Sequence, residues 1–289
     1  MAVGDTGSGH FQGSLQEIIA DSKVHFSKAN VCLPLVTVEA REKADSITFP
    51  VYNLGSNQLT SDDISAHSEH DSTAISATAL TSEKKTATMD MYSVRVPIHD
   101  EVLYSSSDEP SQVISQLLGN AVSAKVDSLI VANFDNFANT ANDTTNGISI
   151  DDIFLALASL QVNNAPAPYS LVLNPRQVYG TYGLSNDLVT SNQFGGSPSS
   201  QDDMLRSGFL GQIAGCDIYT SSEIAISSNN AIGAMFSKMA LGFGYAGQFP
   251  NVEVERDAVR LKTDYVGSMF CGSVEIADTY GVEIQSKVT

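Results

Sequence analysis

The sequence contains no tryptophan and only three cysteines, Cys32, Cys216 and Cys271, among its 289 residues. No two cysteines have C-x-x-C spacing and their number is odd, which argues against a disulfide framework and favours synthesis in a reducing compartment. No N-terminal stretch combines a basic head with an apolar run, so we expect no signal peptide. No run of about 18 apolar residues occurs, so we expect no membrane-spanning helix and no membrane partner.

Basic residues are also scarce, because 15 Lys and Arg stand against 33 Asp and Glu, for a net charge of -18 at pH 7. Such a surface repels phosphate groups, which argues against sequence-specific binding to DNA or RNA. The apolar fraction of 42% is nevertheless sufficient for a folded core. A chain of this length forms one large domain or two smaller ones.

Motifs of catalytic chemistry are nearly absent from the sequence. There is no P-loop, no G-x-S-x-G elbow and no H-E-x-x-H. His67 and His70 have H-x-x-H spacing without a nearby third ligand. Ser82 and Lys85 have the S-x-x-K spacing of some serine acyl enzymes, but the S-D-N and K-T-G partner motifs are missing. We therefore expect no catalytic residue, no metal site and no cofactor.

One glycine motif needs a closer test. Gly242, Gly244 and Gly247 form G-x-G-x-x-G, the spacing of a dinucleotide-binding turn. That turn has to open a helix whose N-terminal amides bind the pyrophosphate. Pro250 and the alternating segment "NVEVERD" predict a strand instead. We interpret the glycines as a turn between two strands that lets strands pass closely, and keep a nucleotide-binding enzyme as a remote alternative.

Helical periodicity appears in a few segments. A first helix is predicted over residues 15–26, and the clearest one begins at Pro110 and extends over about thirty residues, or about 45 Å. One face of the long helix carries Val113, Leu117, Ala121 and Ala124, and further apolar residues widen it: Ile114, Leu118, Val122, Val126 and Leu129. A later helix is predicted to begin after Ser149, which is its N-cap and has Asp152 three residues later in the sequence. A short helix is predicted to begin at Pro175.

Strand-like segments are grouped apart from the helices, which indicates an α+β fold. Residues 55–90 are rich in Ser, Thr, Ala and Asp, and "DSTAISATAL" and "KKTATMDMYSVRVPI" alternate as strands do. They predict a long two-stranded arm. An isolated hairpin is marginal in water, so we expect a neighbouring subunit to supply the surface on which the arm lies. Residues 185–203 form a long polar loop by composition.

Taken in order, four stretches resemble the major capsid proteins of tailed bacteriophages, with the Hong Kong 97 phage-type fold. "DSITFPVYN" resembles the strand that enters the family's extended loop. "MYSVRVPIHDEVLYSSSDEPSQVISQLLGNAVSAKVDSLIV" resembles the return strand and the spine helix. "YSLVLNPRQVYG" with "LRSGFLGQIAGCDIYTSSEI" resembles the axial domain, and "VEVERDAVRLKTDYVGSMFCGSVEIADTYGVEI" resembles the closing strands. The individual motifs are loose, and the specificity of the resemblance lies in their order and spacing.

The resemblance implies a division of the chain into an N-terminal arm and helix (1–46), an extended β-hairpin loop (47–100), a peripheral domain with the spine helix (101–146 and 250–278) and an axial domain (147–249 and 279–289). It implies self-assembly into hexamers and pentamers of an icosahedral shell around double-stranded DNA, which the shell contacts without sequence specificity. Further implied partners are a portal, a separate scaffolding protein and a decoration protein. The implied location is the virion capsid, assembled in the host cytoplasm.

Two variants of this family hypothesis stay open. Some members join a Lys of the extended loop to an Asn of a neighbour, and Lys84 and Lys85 lie in the corresponding arm. No signature of the catalytic Glu accompanies them, which argues against crosslinking. An encapsulin-like nanocompartment shell has the same fold with an enzyme cargo, and residues 15–26 would supply the N-terminal helix of its docking groove. Neighbouring genes would distinguish that shell from a phage capsid.

Overall fold

Two β-sheets, a two-stranded hairpin and three α-helices are the main elements of the part of the chain that the computed structural model describes, residues 30–52, 64, 82–101, 110–185 and 212–289. The helices are α1 (Pro110–Val131), α2 (Ile150–Val162) and α3 (Pro175–Tyr179). The strands are β1 (Thr37–Arg41), β2 (Ser46–Tyr52), β3 (Ser82–Thr88), β4 (Asp90–His99), β5 (Asn139–Ala141), β6 (Tyr169–Leu173), β7 (Gln212–Ile213), β8 (Cys216–Thr220), β9 (Ile226–Ser227), β10 (Asn230–Ser237), β11 (Leu241–Ala246), β12 (Asn251–Asp257), β13 (Lys262–Glu275) and β14 (Gly281–Lys287). The predicted α+β class is confirmed.

Strand β10 lies inside the seven-stranded sheet, whose order is β5-β14-β10-β6-β8-β7 with β9 also paired to β10. It is antiparallel to both β14 and β6, and its second half is buried throughout because apolar clusters cover both faces. Met235 faces the apolar cluster that includes α2, whereas Phe236 faces a second cluster on the other side of the sheet. The ring centroids of Phe236 and Phe134 lie 5.4 Å apart.

Strand β13 organises the five-stranded sheet. β4 pairs along one side of its 14 residues, and β12 followed by β11 pair along the other. β1 completes the sheet by running parallel to β11. Because β10 and β11 are separated by a short turn at residues 238–240, the two sheets are continuous through the chain and share the cluster around Phe236 and Phe243.

Helix α1 packs on β13 with a stripe of buried side chains at every fourth position: Ile114, Leu118, Val122, Val126 and Ile130. The predicted apolar face that carries Leu117 and Ala121 is not the buried one, because both residues are exposed and Leu117 keeps 55% of its accessible surface. The branched and larger side chains of the neighbouring stripe remove more apolar area from water than the two alanines of the predicted face. The described helix has 22 residues, fewer than the predicted length of about thirty.

The two later helices begin where the sequence predicted. Ser149 and Asp152 form a capping box at the start of α2. Asn174 caps α3, and Gln177 accepts a hydrogen bond from the Asn174 N–H. Gln177 is fully buried and also donates to the Ala231 carbonyl at 3.0 Å and to Ser286 Oγ at 2.8 Å. This side chain therefore ties α3 to β10 and β14.

Some predicted elements lie outside the described residues: the helix over 15–26, the arm segment "DSTAISATAL" and the polar loop beyond residue 185. The four-part domain division stays a prediction. No helix among the described residues is long and apolar enough to cross a membrane.

Candidate functional site: the hairpin and the glycine strand

Strands β2 and β3 form a two-stranded antiparallel sheet of their own, with Ser46 opposite Thr88 at one end and Tyr52 opposite Ser82 at the other. Along β2 the buried side chains alternate with exposed ones, and the buried set is Ile47, Phe49 and Val51. This alternation is the period-two pattern of a strand with one covered face. Pro50 is tolerated because β2 has a ladder partner on one side only. Of the two predicted arm strands, "DSTAISATAL" lies outside the description, as do the rest of residues 53–63 and 65–81. The other, "KKTATMDMYSVRVPI", is only partly an arm strand. Its first part belongs to β3 and pairs with β2, whereas its second part is β4, which pairs with β13 in the five-stranded sheet.

The covered face of the hairpin lies on two glycines of β11. A Cβ atom added to Gly242 would lie 2.9 Å from the Phe49 ring, and one added to Gly244 would lie 2.9 Å from Ile47 Cδ1. Contacts this short force the neighbours apart, so the missing side chains create the space that Ile47 and Phe49 occupy. We call the buried residues at this contact the hairpin-base cluster: Ile47, Phe49, Ala87, Met89 and Ala246.

The interpretation of these glycines as a turn is wrong for two of the three. Gly242 and Gly244 lie within β11, and neither has the positive φ that a glycine turn would need. Only Gly247 has a left-handed backbone, with φ 73°, and its N–H donates to the Arg41 carbonyl at 2.9 Å. The expected role in the close passage of strands is confirmed by the contacts of Gly242 and Gly244 with β2.

The segment after the glycines is a strand, as the sequence predicted. β12 begins at Asn251 and pairs with β13 over seven residues. The glycine fingerprint is therefore not followed by the helix N-terminus that binds a pyrophosphate. In addition, Phe49 and Ile47 occupy the space above Gly242 and Gly244 that a bound nucleotide would need.

We predict that titration with NAD or ATP gives no saturable heat by calorimetry at micromolar concentrations of protein and ligand. The reason is that the glycine face is covered and no helix dipole points at it. Saturable micromolar binding that disappears in a folded Gly244→Val protein would revive the hypothesis of a nucleotide-binding enzyme.

A third glycine supports the same junction from β13. A Cβ atom on Gly272 would overlap the carbonyl oxygen of Thr88, where the chain passes from β3 to β4. Gly272 and Gly244 are also directly opposite each other in the β11–β13 ladder. The base of the hairpin is thus held against a small-residue site that spans two adjacent strands.

Of the other motifs singled out in the sequence, the one that the structure describes does not have catalytic geometry. Ser82 and Lys85 both belong to β3, where residues three apart point to opposite faces, so the pair lacks the geometry of an acyl enzyme. Lys85 Nζ instead lies 3.2 Å from Glu83 Oε1. His67 and His70 lie outside the described residues, and within the described ones no group of three or more His, Cys, Asp and Glu side chains is placed to hold a metal ion.

A charged network at the far end of the β4–β13–β12 sheet was missed by the sequence reasoning. Asp264 binds Arg95 at 2.5 Å and Lys262 at 3.2 Å, and both Asp264 and Lys262 are buried. The hydrogen bond from Arg95 is the main cause that holds the pKa of Asp264 below its usual range. Nearby, Arg256 makes two hydrogen bonds to Asp100, at 2.5 and 2.6 Å. The two arginine pairs join residues 169 and 156 positions apart, which is why the run "VERDAVRLKTD" alone did not reveal them.

A second missed feature anchors the start of the described chain. The Asp127 carboxylate, on α1, accepts hydrogen bonds from the N–H groups of Val31 and Cys32 at 3.0 and 2.9 Å. Asp127 is only 3% exposed, and burial raises its pKa. Cys32, Cys216 and Cys271 are all buried and unpaired.

Comparison with known proteins finds matches by structure but none by sequence. No family model matches the sequence, and no curated protein matches it. Among solved structures, the capsid of cyanophage P-SCSP1u aligns over 90% of this chain and 89% of its own, with a TM-score of 0.64 and 20% identity. The capsid of Ralstonia phage GP4 aligns over 88% and 87%, with a TM-score of 0.64 and 12% identity.

A nanocompartment shell is similar as well. The SrpI encapsulin from Synechococcus elongatus, solved as a holo complex, aligns over 89% of this chain and 87% of its own, with a TM-score of 0.60 and 13% identity. Identities this low carry the fold and not the partners. The chain therefore has the Hong Kong 97 phage-type capsid fold, which tailed-phage capsids and encapsulins share.

Proposed function

We propose that this protein is the major capsid protein of a tailed bacteriophage and that it assembles as hexamers and pentamers into an icosahedral shell around double-stranded DNA. The observation that carries the proposal is the fold likeness to phage capsids, which extends over about nine tenths of this chain and of theirs. Likeness over nine tenths of the chain leaves little of it for a separate activity. The protein's role is then structural rather than enzymatic.

The hairpin supports self-assembly on physical grounds. In the described part of the hairpin, the base is seated on the body of the subunit, through the hairpin-base cluster and the glycines beneath it. At the far end Tyr52 is 60% exposed, and Ser82, Glu83 and Lys84 are exposed on the opposite strand. A two-stranded ribbon that leaves its own core gains stability only from another surface, and a second copy supplies one.

The charge of the chain fits the inner wall of a DNA container. With a net charge of -18, the shell confines the nucleic acid through non-specific contact without adhering to it. A portal, a separate scaffolding protein and a decoration protein complete the proposed set of partners. The proposed location is the virion capsid, after assembly in the host cytoplasm, and the domain division given by the resemblance belongs to the same proposal.

An encapsulin-like nanocompartment shell is the second candidate function, because the SrpI encapsulin has the same fold over most of its length. The phage capsids match with slightly higher TM-scores, which makes the phage hypothesis the preferred one. Terminase and portal genes beside this gene would support a capsid. A peroxidase or ferritin-like gene in that place would support a nanocompartment.

We predict that the purified protein forms capsomers or closed shells instead of monomers. Size-exclusion chromatography with light scattering measures the mass, and negative-stain microscopy shows the particles. A single monomeric peak at high protein concentration, under every salt condition tried, would contradict the proposed function.

A further inference from the structure

A polar cavity of about 190 Å³ lies between the described segment at Val31, helix α1 and the segment after β8. Its lining consists of Val31, Asn120, Ser123, Ala124, Asp127, Thr220, Ser221, Ser222 and Glu223. Ligand pockets for drug-sized molecules begin at about 300 Å³, so this cavity suits a single small group. Neither the glycine fingerprint nor the hairpin contact involves these residues.

Counting the described residues alone, the cavity is acidic and lacks a balancing cation. It is lined by the carboxylates of Asp127 and Glu223 and by no Lys, Arg or His. Within the described part of the chain neither carboxylate takes part in an ion pair. Asp127 is buried, and the nearby Glu223 adds to the burial effect that raises its pKa. Each Asp127 oxygen accepts one backbone N–H, from Val31 or Cys32, and retains capacity for a further donor. These amides carry no net charge, and a buried carboxylate is costly unless it is paired as well as hydrogen-bonded.

Ser123 supplies an independent sign of a missing partner. It is only 1% exposed, lines the cavity, and its Oγ has no hydrogen-bond partner. Buried hydroxyls are nearly always hydrogen-bonded, so an unsatisfied one beside a polar cavity indicates a group that is bound there.

We propose that this cavity binds an alkylammonium group. An ammonium has three N–H donors, which match two carboxylates and one hydroxyl, and its compact head on a narrow stem suits the small volume. Asp127 lies near the C-terminal end of α1, where the helix dipole also favours a cation. Two kinds of molecule carry such an alkylammonium group: a free polyamine, and a lysine side chain of another copy of this protein.

Titration of the full-length protein with n-butylammonium and with putrescine, at constant ionic strength, tests the proposal. We expect saturable binding by calorimetry, together with a rise in thermal midpoint, because the ligand stabilises only the folded state. Glu223→Gln should weaken binding at least about tenfold, and Ser123→Ala should weaken it less. Glu42→Gln, which changes an exposed carboxylate away from the cavity, is the matched control and should bind normally.

Two outcomes would overturn the site. One is binding that Na⁺ or tetramethylammonium reproduces at equal concentration, and the other is binding that Glu223→Gln leaves unchanged. Tight Mg²⁺ binding lost in the same variants would equally overturn it, in favour of a metal site. Because Glu223 is only half-buried, its variant stays informative even if Asp127→Asn fails to fold.

Carbodiimide coupling of the assembled protein distinguishes the two sources. An isopeptide between Glu223 and a lysine of another copy, located by mass spectrometry, assigns the ammonium to the protein. An amine released from the purified protein by acid assigns it to a free polyamine. The binding test does not require shells, so its failure and the failure of the proposed function are distinguishable.

Discussion

Removing residues 57–81 is expected to abolish shell formation while leaving the body of the subunit folded. The deletion ends before Ser82, because β3 begins there and its pairing with β2 keeps Ile47 and Phe49 in the hairpin-base cluster. In the proposed function the removed segment clamps a neighbouring subunit, and an extended hairpin of this kind contributes little to the core of its own subunit. Electron microscopy should show no closed shells, and circular dichroism should show a cooperative transition close to that of the intact protein.

A Gly/Ser linker of equal length in the same position is the control for chain length. It should also fail to assemble, because the clamp needs the strand-forming side chains and not only the connection. Normal shells from either protein would contradict the role of the arm as an intersubunit clamp.

Gly272→Val is expected to cause the largest loss of stability among single glycine substitutions at the hairpin base. The new Cβ would overlap the Thr88 carbonyl oxygen, which belongs to the backbone and has no rotamer through which it could move away. Overpacking of this kind costs about 1–3 kcal/mol, and separation of the hairpin from β13 would add to it. Urea unfolding followed by circular dichroism measures the change in the free energy of unfolding.

A double substitution separates this steric explanation from general damage. Gly244→Val meets the Ile47 side chain, so Ile47→Ala should recover part of the lost stability in a double-mutant cycle. The same Ile47→Ala change should not recover Gly272→Val, since the obstacle there is backbone. Thr48→Val on the exposed face of β2 is the control and should change stability by about 0.5 kcal/mol or less. Equal rescue of both glycine variants would contradict the proposed contacts.

Local patterns were sufficient to predict much of this architecture. The alternation in "NVEVERD" predicted β12, because a strand with one covered face repeats every two residues. Ser149 with Asp152 predicted the start of α2, since a capping box involves residues only three apart. The order and spacing of such segments was enough to indicate the capsid fold, although no sequence family matches the chain.

The contacts that give these elements their roles depend on residues far apart in the chain. G-x-G-x-x-G has the same spacing in a nucleotide turn and in β11, and only the position of Ile47 and Phe49 over the strand distinguishes the two. Helix α1 has two adjacent apolar faces, and the surface of β13 selects the one that is buried. The pairing of Arg95 with Asp264 and of Asp127 with the Cys32 amide likewise spans 169 and 95 residues. Side-chain packing and charge pairing act through space, so one-dimensional patterns identify the elements but not the partners that each element meets.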